Sequence, residues 1–301
     1  MNKLEITHEE VVNFLKSLGF VVDETEVLKD GKKMIGTTVR RSKEDRVAPA
    51  IYIDSEIEYA KSQGADRQQF LMEILRVIRT GFENAPETES LGDVFTPELF
   101  RENAMLGVRQ TTPDSNELKR PTPYDGLEEY IYMRVNTPNI KGIIRVNKTH
   151  LEYLKVTEDE AFDIAAGNIH KETVIMHIAD YILATHEDVE GIRDMVGIMR
   201  LSPMYIVTTA EQMNDPQVNH HGAAAILDKE AIAKFSEEQD VDRWVVIPST
   251  KSECILVPYS EGADIDMYKE MVIDVNSTID PSDVLIDAAY VIDGKSGEIA
   301  A

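Results

Sequence analysis

The sequence predicts an α+β protein, with mixed or antiparallel sheets and amphipathic helices, most clearly in its C-terminal half. Three observations lead there. Helical and strand-like periodicities both recur, but they do not alternate strictly, which disfavours a doubly wound parallel sheet. Two capping boxes, Thr7 with Glu10 and Thr157 with Glu160, mark helix starts. Short β-branched or aromatic runs bounded by Gly, Pro, Asn and Asp mark strands.

The elements follow in order. After Thr7, Val11, Phe14, Leu15 and Leu18 keep helical spacing until Gly19 ends the helix. Phe20 to Leu28 and Met34 to Arg40 read as strands joined by an Asp30-Gly31 turn, a hairpin signature. Ala50 to Ile53 reads as a short strand. Asp66 caps a helix reaching Phe82, with Phe70, Leu71, Ile74, Leu75, Val77 and Ile78 as its apolar stripe. Asn84 to Gly92 is a polar loop and a candidate boundary, so we expect an N-terminal region over 1–100 (helix, hairpin, helix) and a C-terminal domain over 101–301.

In the second region Ala104 to Val108, Leu127 to Val135 and Ile143 to Val146 read as strands. Helices resume at Thr149 and again after Thr157, while Glu172 to Thr185 fits strand or helix. Met204 to Thr208, Gly222 to Leu227, Trp244 to Ile247, Cys254 to Val257 and Ala289 to Ile292 read as strands. Asp228 and Asp264 cap helices running to about Glu238 and Val275.

Composition narrows the function. The chain has 301 residues, 43% hydrophobic and 29% charged, which suffices to bury a core without staples. Its one cysteine, Cys254, excludes an internal disulfide and a zinc site built from several cysteines of one chain. Cys254 sits in an apolar run beside Glu253, the setting of a buried, unreactive thiol. A formal charge of −24 opposes direct binding to nucleic acid or to anionic membrane surfaces. No stretch approaches about 18 apolar residues and no apolar signal core opens the chain, so a cytoplasmic location with no membrane contact is expected.

Strong chemical signatures are missing: no phosphate loop, no Gly-x-Gly-x-x-Gly, no Gly-x-Ser-x-Gly and no His-Glu-x-x-His. No cofactor is expected. His220 and His221 are the nearest to a metal candidate, but adjacent residues on a strand face opposite ways, and His170, His177 and His186 have no ligand spacing. The loop Pro248 to Glu253 concentrates Ser249, Thr250, Ser252 and Glu253 and is the best catalytic candidate. A serine nucleophile needs a base, which the loop lacks, and hydroxyls after a proline equally satisfy a tight turn. Among the C-terminal carboxylates, Asp264 and Asp266 open a helix, where negative charge is favoured in any case.

Several stretches are similar to an uncharacterised bacterial family, the domain-of-unknown-function family 5688. They are Thr149-His150-Leu151, Thr157 to Glu160 running to Ala165-Ala166-Gly167-Asn168, Met204 to Thr208, Gly222-Ala223-Ala224, Ile247 to Thr250, Glu253 to Pro258, and Val275-Asn276 through Asp280. A second uncharacterised family shares a similar Pro-Ser-Ser loop. The resemblance covers about residues 100 to 293 and implies a fold but no activity, cofactor or partner. The family's loop reads Pro-Ser-Ser-x-His-Glu, and Ser252 stands here at the histidine.

Three functional classes fit these residues. The first is a non-enzymatic cytoplasmic interaction or regulatory protein with a protein partner. The second is a hydrolase or transferase centred on the Pro248–Glu253 loop, with His220 or His221 folded against it. The third is an acidic DNA mimic or an inhibitor of a nucleic-acid-binding protein, which requires a contiguous acidic stripe.

Overall fold

The computed structural model describes residues 4–29, 32–43, 48–83, 94–113, 117–136, 141–185, 189–214, 221–279 and 283–300. The Asp30-Gly31 turn, the Asn84–Gly92 loop, His186 and His220 lie outside them. Contacts divide the chain into two compact units, Met1–Val94 and Phe95–Asn136 with Lys141–Ala301. The architecture is α+β with three antiparallel sheets. No helix of the described residues is long and apolar enough to cross a membrane.

In the first unit, helix α1 (His8–Ser17) starts at the Thr7–Glu10 capping box, with both reciprocal bonds formed. Strands β1 (Val21–Lys29) and β2 (Lys32–Arg40) form the expected antiparallel pair, and β3 (Ala50–Ile51) joins β2. The expected strand at Ala50 to Ile53 is shorter than its apolar run, because Ile53 already opens α2 (Ile53–Ser62). Helix α3 (Arg67–Glu83) follows, and Asp66 accepts from the Gln69 N–H as its cap. Val11, Leu15, Val39, Ile53, Ile74 and Ile78 meet in one core.

The second unit holds two sheets. Helix α4 (Pro97–Asn103) leads into β4 (Ala104–Gln110), which pairs with β6 (Leu127–Asn136). The other edge of β6 is shared by β5 (Lys119–Pro121) and β7 (Lys141–Arg145). Helices α5 (Lys148–Leu154) and α6 (Glu158–Glu172) come next, the latter starting at the Thr157–Glu160 box and packing on β4. The ambiguous stretch after Glu172 divides into β8 (Thr173–His177) and α7 (Ile178–Thr185), followed by α8 (Val189–Met199).

The second sheet runs in the order β12 (Tyr290–Asp293), β10 (Arg243–Ile247), β11 (Cys254–Pro258), β9 (Tyr205–Thr209), β8. A short α9 (Ala210–Asn214) follows β9. On one sheet face Trp244 meets Tyr205 and Phe235 of α10 (Lys229–Gln239), and its indole N–H donates to Ser236 at 2.8 Å. On the opposite face Val245 and Ile247 meet Val272 of α11 (Ile265–Asn276).

One expected strand is wrong. Gly222–Leu227 forms a 3-10 helix, not a strand. Its run of small residues is packed against β9, β4 and α6, and Ala223, Ala224 and Ala225 are fully buried. Little in Gly-Ala-Ala-Ala-Ile-Leu favours a pleated strand: Ile226 is its one β-branched residue, and the small side chains suit close backbone approach.

Candidate functional site

Strand β6 organises a buried polar row. Glu128, Tyr130, Tyr132 and Arg134 alternate along it, so they share one face. Arg109 lies opposite Glu128 in the register, Gly107 and Lys119 opposite Tyr130, and Arg145 opposite Tyr132. Gly107 makes room: a Cβ there would overlap the Tyr130 ring. The guanidinium carbons of Arg109 and Arg145 lie 4.8 Å and 5.0 Å from the centroid of that ring, within cation–π range.

Charges close the row at both ends. At one end Arg109 donates to Glu128 (2.8 Å) and to Glu117, while Thr112 (2.6 Å) donates to Glu128 and Lys119 pairs with it at 3.2 Å. Burial pushes the Glu128 carboxyl up, but hydrogen bonds from Thr112, Arg109 and Lys119 outweigh it and leave the group below its ordinary range. At the other end Arg134 bridges Glu172 (2.6 Å) of α6 and Glu211 (2.8 Å) of α9. In the middle the His221 Nδ1 and the Tyr130 hydroxyl share a 3.0 Å hydrogen bond, and the His221 ring lies 4.5 Å from that of Tyr132. Burial holds the Tyr132 hydroxyl protonated, well above its ordinary value.

The Pro248–Glu253 loop lies against the 3-10 helix. Thr250 donates through Oγ1 to the Glu253 carboxylate (2.9 Å) and accepts the Ser252 N–H (3.1 Å). The Ser252 carbonyl accepts from Thr208 Oγ1 at 2.8 Å, and the Lys251 carbonyl accepts the Ala223 N–H at 3.1 Å. Gly222 touches the Ser252 carbonyl so closely that no Cβ would fit. The main chain beside His221 therefore reaches the loop, while the imidazole is bonded to Tyr130. Ser249 is half-buried, and Cys254 is buried against Ala223, where desolvation pushes its thiol up.

A cleft of about 300 Å³ lies beside α6, lined by Leu106, Ala166, His170, Leu227, Asp228 and Lys229 among others. Asp228 is buried and caps α10 by accepting the Ala231 N–H. It also holds His170 Nδ1 at 3.0 Å, and that hydrogen bond raises the imidazole's pKa above its ordinary value. His177 is held apart by the Ser202 carbonyl (3.0 Å) and by the Ala179 N–H. Among the described residues no three His, Cys, Asp or Glu side chains gather as a metal site requires.

Two of these arrangements escaped the sequence reading. The Glu-x-Tyr-x-Tyr-x-Arg alternation of 128–134 is visible in the sequence, but its partners come from 107–119, 145, 172, 211 and 221. His170 and Asp228 are far apart in sequence, and Asp228 alone reads as a helix cap.

The model of a family of unknown function (DUF5688) matches residues 4–293. The chain belongs to DUF5688. Membership extends over both units and thus over the first hundred residues, which the resemblance in the sequence did not cover. No curated protein and no solved structure matches the chain.

Within this DUF5688 protein the His170–Asp228 pair gives a titration with a definite sign. Asp228→Asn keeps a side-chain oxygen for the Ala231 N–H and removes the charge beside His170. The His170 pKa is expected to fall toward its ordinary value, read from imidazole proton shifts by NMR. A raised folded pKa contributes stability below the unfolded value and loses it as pH rises through the folded one, so the variant loses that acid-side contribution. An unchanged titration would mean that Asp228 does not set it.

Proposed function

We propose that the protein is a non-enzymatic interaction protein of the cytoplasm that acts by binding another polypeptide. The observation carrying this reading is where large apolar side chains are exposed. Met195 and Ile198 stand out on α8 with Leu201 just beyond its end, and Met267, Met271, Ile273 and Val275 on α11. Single exposed apolar residues need no explanation, whereas groups of them on one element are characteristic of interaction surfaces. The internal bonding of Thr250 and Glu253 supports the same reading, because their side chains already serve the turn. The cytoplasmic part rests on the lone Cys254, which has no partner for an internal disulfide.

The second reading is a hydrolase or transferase using Ser249, Thr250, Ser252 and Glu253. Its support is the close approach of Gly222 to Ser252, which carries the chain beside His221 to the loop.

Native mass spectrometry of the protein purified from its own host separates the two. The expected result is a co-purifying polypeptide that stays bound in the Thr250→Val chain. A small molecule or metal bound to the wild type and absent from Thr250→Val would overturn the interaction reading in favour of the enzyme.

A further inference from the structure

Helix α11 carries two parallel rows of side chains with opposite chemistry. Its inward face is fixed by Val272, which meets Val245 and Ile247 of the sheet, with Ile265 and Tyr268 packed against the same cluster. Outward, Met267, Met271 and Val275 recur at i, i+4 and i+8 and are 50%, 53% and 55% exposed. Such spacing sets them on one ridge about 12 Å long, two turns of helix. Asp266, Glu270 and Asp274 recur at the same interval and are all exposed. Each methionine has a carboxylate three residues on, Glu270 for Met267 and Asp274 for Met271, so the acidic row borders the ridge directly.

From this juxtaposition we infer that α11 docks a basic amphipathic helix of a partner protein, its apolar face on the Met267–Met271–Val275 ridge and its lysines or arginines along Asp266, Glu270 and Asp274. The inference rests on the interaction reading and specifies the partner's chemistry. Methionine suits the role, because its unbranched, polarizable side chain adapts to different apolar partners. An apolar ridge alone would accept any greasy surface, but the acidic border selects one with a basic edge. A second copy of this chain is disfavoured as the occupant, since each copy carries a formal −24 and the two would repel. That same charge steers a basic segment toward the protein at low salt.

The test uses the full chain and a fluorescent helical peptide of about 18 residues, leucines on one face and lysines on the other, followed by anisotropy. Saturable one-to-one binding is expected. Met271→Asp should weaken it at least about tenfold, and Glu270→Gln with Asp274→Asn should weaken it a few-fold and flatten its salt dependence. These positions are exposed, so the melting temperature should hold and report an intact fold. Equal affinity for wild type and Met271→Asp would overturn the inference, as would equal binding of a leucine–glutamate peptide of the same pattern. A concentration-dependent dimer abolished by Met271→Asp would place a second copy on the ridge and also overturn it. A native complex from the host that survives Met271→Asp would leave the interaction reading standing and remove α11 from it.

Discussion

Arg109→Met is expected to destabilise the protein by about 3–5 kcal/mol at neutral pH, the range for removing one partner of a buried ion pair. The Arg109 and Glu128 side chains are 4% and 6% exposed, so solvent cannot replace the lost charge. Lys119 and Thr112 still touch Glu128, but Arg109 also holds Glu117 and covers the Tyr130 ring, and those contacts go together. Glu128 gives the loss its pH dependence. Its folded pKa is lowered, so it contributes stability above the unfolded carboxylate value and loses it as pH falls through the folded value. Without Arg109, burial weighs more heavily and the folded pKa rises. Protonation of Glu128 then relieves the variant earlier than the wild type. The stability gap should be widest at neutral pH and narrow toward about pH 4, as read by urea denaturation. A gap independent of pH would show that lost packing, not the uncompensated carboxylate, dominates. The double replacement Arg109→Met with Glu128→Leu should recover part of the loss, because it removes the uncompensated carboxylate, while Lys119 loses its charged partner and keeps its bonds to Thr112 and to the Pro113 carbonyl.

Legibility in the sequence followed the range of the interaction. Local signals were readable: Thr7 with Glu10 and Thr157 with Glu160 form both bonds of their capping boxes, and Asp228 and Asp264 cap as expected. A cap is completed within three residues, so one sequence window contains its physics. Helix α2 gave no such signal, because Tyr52 at its start makes no side-chain cap bond. Helix α4 did carry one, the Thr96 cap with Pro97 in the first turn, and it can be read in retrospect. The polar row on β6 was out of reach for another reason. Tyr130 depends on Gly107 for space and on His221 for its hydrogen bond, and neither requirement marks the residues near Tyr130. Within the Pro248–Glu253 loop the turn chemistry is readable, but the partner across from it, Gly222, belongs to a 3-10 helix whose short apolar run resembles a strand in the sequence.

That partner makes the second large effect predictable. Gly222→Val is expected to cost about 3 kcal/mol, at the upper end of ordinary overpacking. A Cβ at Gly222 would overlap the Ser252 carbonyl oxygen and Thr208 Oγ1, and it would stand 3.1 Å from Gln212 Cβ. A flexible side-chain end could move aside at little cost, but the Ser252 oxygen is backbone. It is held in place by the Thr208 hydroxyl, by the Lys251–Ala223 bond and by the bridge from Thr250 to Val284. Neither can the 3-10 helix withdraw, since Ala223, Ala224 and Ala225 are fully buried against β9, β4 and α6. The clash must therefore be relieved by breaking loop bonds or by tilting the buried segment. Ser249→Ala makes the comparison informative, because it leaves this contact untouched and should fall within about 0.5–1.5 kcal/mol of wild type. Chemical denaturation of both variants measures the difference. A Gly222→Val chain as stable as wild type would mean that the loop yields easily. The bonds that hold the Thr250 side chain and the Ser252 backbone would then be weak, and the strongest structural support for reading the loop as a turn would be lost.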